Sequence, residues 1–305
     1  MLKGQRILVT GATGQVARPL TEQLARENEV WAAARFTDAQ AKQELEAQGI
    51  RTAPFSMGDE DLSALPDVDY VIHAAANTNP ATTDIALLHN AEGAGFLMQR
   101  YRDAKAFLHV SSSSVYRVAT GSNEPTREDH ELGGHASYSP HYAMSKLAGE
   151  AVIRQQARAL ALPTVIARLD VAYGARGHGG VPAILYEMMK AGAPYTRAEA
   201  GESYCSLIYE DDIAEQIQAL ILKATVPATI VNLGGDEVVA VEEIIGYLEG
   251  LTGLTMKIES AEVAAWQMKV LDPTLRQQLG GPCRVSWKDG VKRALLARHP
   301  DAIRS

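Results

Sequence analysis

Tyr142-Ala-Met-Ser-Lys146, roughly thirty residues beyond the serine run Ser111 to Ser114, offers a phenol, an ammonium and a hydroxyl to one carbonyl oxygen. On a helix, positions i and i+4 share a face, so Lys146 stands one turn from Tyr142. A free tyrosine has a pKa of about 10 and exchanges protons poorly at neutral pH, and a nearby cation favours its phenolate. The chemistry of such a trio is proton transfer at a carbonyl or alcohol oxygen. Tyr and Lys at this spacing also occur on plain solvated faces, so the surrounding elements decide the matter.

Those elements begin at the other end of the chain. Arg6 to Thr10 is a short apolar, β-branched run, followed by Gly11-Ala-Thr-Gly14-Gln-Val-Ala17 and a helical pattern from Arg18 to Glu27. Strand, glycine turn and helix in this order make a dinucleotide phosphate site. Gly11 permits the tight turn, Gly14 lets backbone approach a pyrophosphate, and small Ala17 lets the helix pack while its N-terminus faces the phosphates. Thr13, Gln15 and Val16 complete the turn. The second strand, Glu29 to Ala34, ends on Arg35 where dinucleotide folds offer an acid to the ribose 2′-hydroxyl. An arginine there pairs with a 2′-phosphate, which predicts NADP with a preference of about ten- to a hundredfold, NAD being the alternative; Arg35 could also merely cap the strand in solvent. Asp59, after the third strand, is a candidate acceptor for the adenine amine.

With these residues in place the chain resembles the extended short-chain dehydrogenase/reductase superfamily, which contains the nucleotide-sugar epimerases and dehydratases. The resemblance rests on Thr10 to Ala17, Tyr70-Val-Ile-His-Ala-Ala-Ala76, Val110-Ser-Ser-Ser-Ser-Val-Tyr116, Tyr142 to Glu150, and Ala167-Arg-Leu-Asp-Val-Ala-Tyr-Gly174. It implies Tyr142 as general acid or base, Lys146 as holder of the nicotinamide ribose, and Ser112, four residues before Tyr116, as the hydroxyl that orients the substrate oxygen. It places Ala74 and Ala75 beside the cofactor, and it implies a homodimer built on the crossover Thr83 to Ala104 and the helix Tyr142 to Leu160.

Departures from the family pattern bear on the substrate. Sugar-nucleotide members commonly carry an asparagine where this chain has Val171 and an arginine where it has Cys205, both aimed at the substrate diphosphate. Dehydratases carry Asp-Glu after the catalytic hydroxyl, where this chain has Ser113-Ser114, and serines cannot serve as acid and base for elimination. Expected pocket residues are Ser113, Tyr116, Tyr138, His141, Val171, Tyr173, Tyr186, Met189 and Tyr195, a neutral and partly apolar set, of which Tyr186 and Met189, at helical positions, read more readily as core. The expectation is therefore an NADP(H)-dependent oxidoreductase interconverting a neutral ketone or aldehyde and an alcohol by hydride transfer. The alternatives are a nucleotide-sugar epimerase or reductase with bound NAD, in which Arg176 or Arg197 replaces the missing diphosphate partners, and a non-catalytic NADP-binding sensor.

Composition sets limits. The 29 basic and 37 acidic side chains give a net charge of −8, with no basic stripe for nucleic acid and little attraction to anionic membranes. Cys205 and Cys283 lack metal-ligand spacing, as do His130, His135, His141 and His178, so no metal is expected. Reduced thiols, the absence of a signal-like start and of any long apolar run imply a cytoplasmic protein. Alternating strands near 6–10, 29–34, 50–54, 69–74, 106–111 and 163–168 predict an α/β fold, a doubly wound parallel Rossmann sheet over 1–170 with returns near 205–233. Residues 171–204 and 234–305 are expected to form a smaller, discontinuous substrate lobe.

Overall fold

The computed structural model describes residues 1–117, 123–133, 139–199, 201–262, 266 and 268–303. Seven parallel strands form the central sheet. In chain order they are β1 (Arg6–Thr10), β2 (Glu29–Ala34), β3 (Arg51–Pro54), β4 (Tyr70–His73), β5 (Ala106–Ser112), β6 (Thr164–Leu169) and β7 (Thr229–Leu233). Their order across the sheet, β7-β6-β5-β4-β1-β2-β3, reverses beside β1, and the C-terminal ends on either side of that switch make the crevice for a ligand. Ile7, Leu8, Val9, Phe107, Leu108, Val165 and Ile166 have no exposed surface, as expected of strands covered by helices on both faces.

On one face α1 (Ala17–Leu24) packs beside a late helix, Glu210–Ile221; on the other lie Gly93–Arg100 and the long helix Pro140–Ala159, hereafter the Tyr142 helix. The crossover expected as one helix from Thr83 to Ala104 is broken: Thr83–Leu87 is α-helical, Leu88–Glu92 is a π turn, and the α-helix resumes at Gly93. The break is fixed by packing. A methyl on Gly93 would lie 2.7 Å from the Gly58 nitrogen, and one on Gly149 would lie 2.5 Å from the Asn90 oxygen. Asn90, inside the π turn, donates to Ser145 Oγ at 3.0 Å and to the Asn77 carbonyl at 2.9 Å, so the π turn locks the Tyr142 helix to the loop after β4.

The expected return to the sheet at Thr229 is strand β7, paired with β6 along its whole length. The segment from Cys205 instead gives two-residue strands and then the Glu210–Ile221 helix, which lies on the sheet face rather than within it. A separate apolar cluster, including Tyr173, Leu185, Tyr195, Val239, Ile244, Leu248 and Trp287, holds the remaining small strands and helices together.

Candidate active site

Gly11 adopts φ +73°, and its N–H donates to the Ala33 carbonyl at 2.8 Å. A methyl group there would stand 2.8 Å from Ala75 Cα, so only glycine lets the turn rest on the Ala74–Ala75 loop. The Gly14 N–H closes the turn on the Gly11 carbonyl at 2.8 Å, and Thr13 and Gly14 are exposed at the mouth of α1. This exposed turn at a helix start, without an acid in the first turn of the helix, fits a dinucleotide pyrophosphate. Gln15 differs from the simplest expectation: its Nε2 donates to the Ala172 carbonyl at 2.8 Å, tying the turn to the chain beyond β6, and only its backbone faces the mouth. Val16 packs on the core. Arg35 and Asp59 are exposed beyond β2 and β3, and Arg35 has no ion pair among the described residues. Arg18, by contrast, is buried against Glu22 and Glu44.

Tyr142, Lys146 and Glu150 follow one another at helical spacing down the face that packs on the end of β5. Lys146 is 1% exposed, and its Nζ donates to the Val110 carbonyl at 2.8 Å, two residues before Ser112. Burial lowers the Lys146 pKa to about 8, with Glu150 opposing the shift. The chain turns at Ser112, whose Oγ accepts the Ser114 N–H at 3.2 Å; Ser112 and Ser113 are partly exposed, whereas Ser111 and Ser114 are buried. Hence β5 and the Tyr142 helix bring Ser112, Tyr142 and Lys146 to one end of the sheet.

Three groups that the motifs alone do not assign support this end. Glu150 and Arg168 form a buried two-pronged ion pair at 2.9 and 2.7 Å, and Ser111 donates to Glu150 at 2.7 Å, which joins helix, β5 and β6. His73 and His109, on adjacent strands, lie with ring centroids 5.3 Å apart; burial lowers the His73 pKa to about 3 and that of His109 well below normal. Asp170 follows β6 and accepts the Ser113 hydroxyl at 2.7 Å and the Ser206 N–H at 2.9 Å. The last was the most legible, being an acid at the C-terminal end of a sheet strand.

Most of the expected aromatic wall is elsewhere. Tyr116 is fully buried and donates to Asn232 Oδ1 at 2.6 Å, with the Arg168 guanidinium 4.7 Å from its ring centre. Tyr173 is 1% exposed and donates to the Trp287 carbonyl at 3.2 Å. Tyr186, Met189 and Tyr195 belong to the second apolar cluster. These corrections share a cause: each aromatic body buries more apolar surface in a core than a cleft wall offers, and two of the hydroxyls find partners there. Val171 is partly buried against the same cluster, Cys205 is fully buried, His141 bonds Thr83 at 3.1 Å, and Arg176 pairs with Glu22 at 3.2 Å. Tyr138 and His135 lie outside the described residues. Among the described residues no cluster of three metal-ligating side chains occurs, and no helix is long and apolar enough to cross a membrane.

The NAD dependent epimerase/dehydratase family pattern matches residues 7–234, and the chain belongs to that family of enzymes. A curated relative, an uncharacterized UDP-glucose epimerase of Bacillus subtilis (strain 168), is 25% identical over 271 residues, 81% of this chain and 82% of the relative. Among solved structures, the UDP-glucuronic acid 4-epimerase from Bacillus cereus in complex with UDP-glucuronic acid and NAD is 21% identical with a TM-score of 0.82, over 97% of this chain and 99% of that one. The UDP-glucose 4-epimerase of Thermotoga maritima with UDP-glucose is 22% identical with a TM-score of 0.78, over 96% and 98%. These similarities show the shared fold.

Proposed function

We propose that the protein is a nucleotide-sugar epimerase that retains NAD. The observation carrying this is the placement of Ser112 and Ser113, partly exposed, and Asp170 at the sheet end that also receives Tyr142 and Lys146. A polar surface of this kind suits a polyhydroxylated sugar. The case for a neutral ketone rested on the missing diphosphate partners at Val171 and Cys205 and on the tyrosine wall, and of that wall Tyr116, Tyr173 and Tyr195 are interior.

In this reading residues 1–170 hold the dinucleotide, while residues 171–204 and 234–305 form the substrate lobe. Thr13, Gly14 and the backbone at Gln15 and Val16 hold the pyrophosphate, with Ala74 and Ala75 beside them and Asp59 toward the adenine. When bound, the dinucleotide would supply reversible hydride transfer at a sugar carbon. Tyr142 takes the proton from the hydroxyl on that carbon and gives it back after the sugar has turned. Ser112 donates to the same oxygen, one of its two lone pairs being taken by the Ser114 N–H and its proton left free. Lys146, cationic below about pH 8, holds the ribose and favours the phenolate. Val171 and Cys205 give the diphosphate no charged partner, and Arg197 on the strand Tyr195–Ala198 is the remaining candidate.

The test is to identify the nucleotide released from purified protein and to follow UDP-glucose and UDP-glucuronic acid by NMR. Retained NAD and conversion of a UDP-sugar to its epimer, lost in Tyr142→Phe, are expected. Consumption of NADPH with simple ketones and no UDP-sugar turnover would restore the reductase. Bound NADP without turnover of either class would identify a sensor.

A further inference from the structure

Ser112 and Ser113 are chemically identical neighbours with opposite hydrogen-bonding states. A serine hydroxyl has one proton and two lone pairs. Ser112 Oγ accepts the Ser114 N–H, which leaves its proton free to donate. Ser113 commits its proton to Asp170 Oδ1 at 2.7 Å, so toward the cleft it can only accept. Burial pushes the Asp170 carboxyl up only to about 6, so at pH 7.5 it is ionised and its Oδ1 has no proton to return, while its other oxygen accepts the Ser206 N–H at 2.9 Å. Ser206 is itself pinned, its Oγ accepting the Leu271 N–H at 3.0 Å, and Leu271 packs against Val115 and Tyr116, just beyond the serine turn. The corner is thus a rigid loop of contacts, partly exposed only at Ser112, Ser113 and Asp170.

We infer that Ser113, held by Asp170, is a sugar-specificity subsite that accepts a hydrogen bond from a neutral hydroxyl of the substrate and disfavours a carboxylate at that position. A carboxylate offers no proton to Ser113 and would meet the negative charge of Asp170. Ser113 touches the sugar; Asp170 is a positioning residue acting through it. Burial raises the Asp170 pKa to about 6 and Lys269, itself buried and without a hydrogen bond among the described residues, opposes that rise; Lys269 is the group that would attract a carboxylate if the inference were wrong.

The inference rests on the nucleotide-sugar reading, and the experiment separates the two. Binding of UDP, UDP-glucose and UDP-glucuronic acid to the full-length protein with its dinucleotide is measured by calorimetry at pH 7.5. UDP-glucose should bind at least tenfold more tightly than UDP-glucuronic acid. Ser113→Ala should weaken UDP-glucose about tenfold, the loss of one hydrogen bond, and leave UDP unchanged, with Ser113→Thr restoring affinity. In Asp170→Asn the amide oxygen must serve the Ser206 N–H, which turns the amide NH2 toward Ser113 and frees the serine proton to donate. The gap between the two sugars should then close, again without effect on UDP. Unchanged selectivity in Asp170→Asn, unchanged UDP-glucose affinity in Ser113→Ala, or preference of the wild type for UDP-glucuronic acid overturns the inference while the epimerase reading stands. No binding of any of the three overturns both. Dinucleotide content and melting temperature report whether each variant is folded.

Discussion

The Lys146 ammonium lies 3.3 Å from His109 Nε2, inside the protein, with the Val110 carbonyl as its second acceptor. The imidazole is held neutral by burial and by the adjacent cation, so Nε2 accepts and the ring proton sits on Nδ1. A lysine so enclosed keeps its charge only below about pH 8.

The first expectation concerns the alkaline limb of activity. If turnover needs the Lys146 ammonium, kcat/KM should fall as pH rises through about 8, far below the ordinary lysine range near 10.4. His109→Phe removes an acceptor for the charged form and should move this limb to lower pH. A pH–rate profile showing no loss before pH 10 would remove Lys146 from the reaction.

Acid stability should depend on the same imidazole and on His73. Both stay neutral in the folded protein, while in the unfolded chain each takes a proton near pH 6.5. The unfolded state therefore binds more protons below that pH, and stability is lost as pH falls from about 6.5, by up to about 1.4 kcal/mol per pH unit for each histidine. Urea unfolding at pH 7 and pH 5 should show a smaller loss in His109→Phe than in the wild type.

The Glu150–Arg168 pair has side chains 2% exposed on both partners. Glu150→Gln leaves a buried guanidinium without its countercharge and should cost about 3–5 kcal/mol, whereas replacing both by Leu and Met should recover much of the loss. Thermal melts of the single and double variants decide this, and a single variant as stable as wild type would show that water reaches Arg168.

Arg35 is exposed just beyond β2, at the position from which a side chain would meet the 2′-group of a dinucleotide. Arg35→Asp should weaken any NADP binding by about ten- to a hundredfold and leave NAD equal or tighter, measured by fluorescence titration of the two reduced forms. An unchanged ratio would show that Arg35 caps the strand and nothing more.

The sheet was legible because its causes are local. The runs at Arg6–Thr10 and Ala106–Ser112 are short, apolar and bounded by turn residues, and Gly11 and Gly14 fall where a phosphate turn needs them. The i, i+4, i+8 spacing of Tyr142, Lys146 and Glu150 put all three on one helix face before any packing was known. The π turn at Leu88–Glu92 was not legible, because close approaches at Gly93 and Gly149 impose it from outside the segment.

What composition could not say is which side of a boundary each polar or aromatic group faces. Tyr116 finds its partner Asn232 at a separation of 116 residues, and Tyr173 finds Trp287 at 114, so both read as pocket residues in the chain and stand in the core of the fold. Four consecutive serines are indistinguishable in sequence; Glu150 and Asp170, brought in from other elements, make Ser111 structural and Ser113 an acceptor. The sequence by itself determined the sheet and the line of the helix carrying Tyr142 and Lys146, since these follow from periodicity and short-range spacing, and its ordered motifs carried the resemblance to the family. Only the tertiary structure decided the hydrogen-bonding states of Ser111, Ser113 and Lys146, because each is set by a partner distant along the chain.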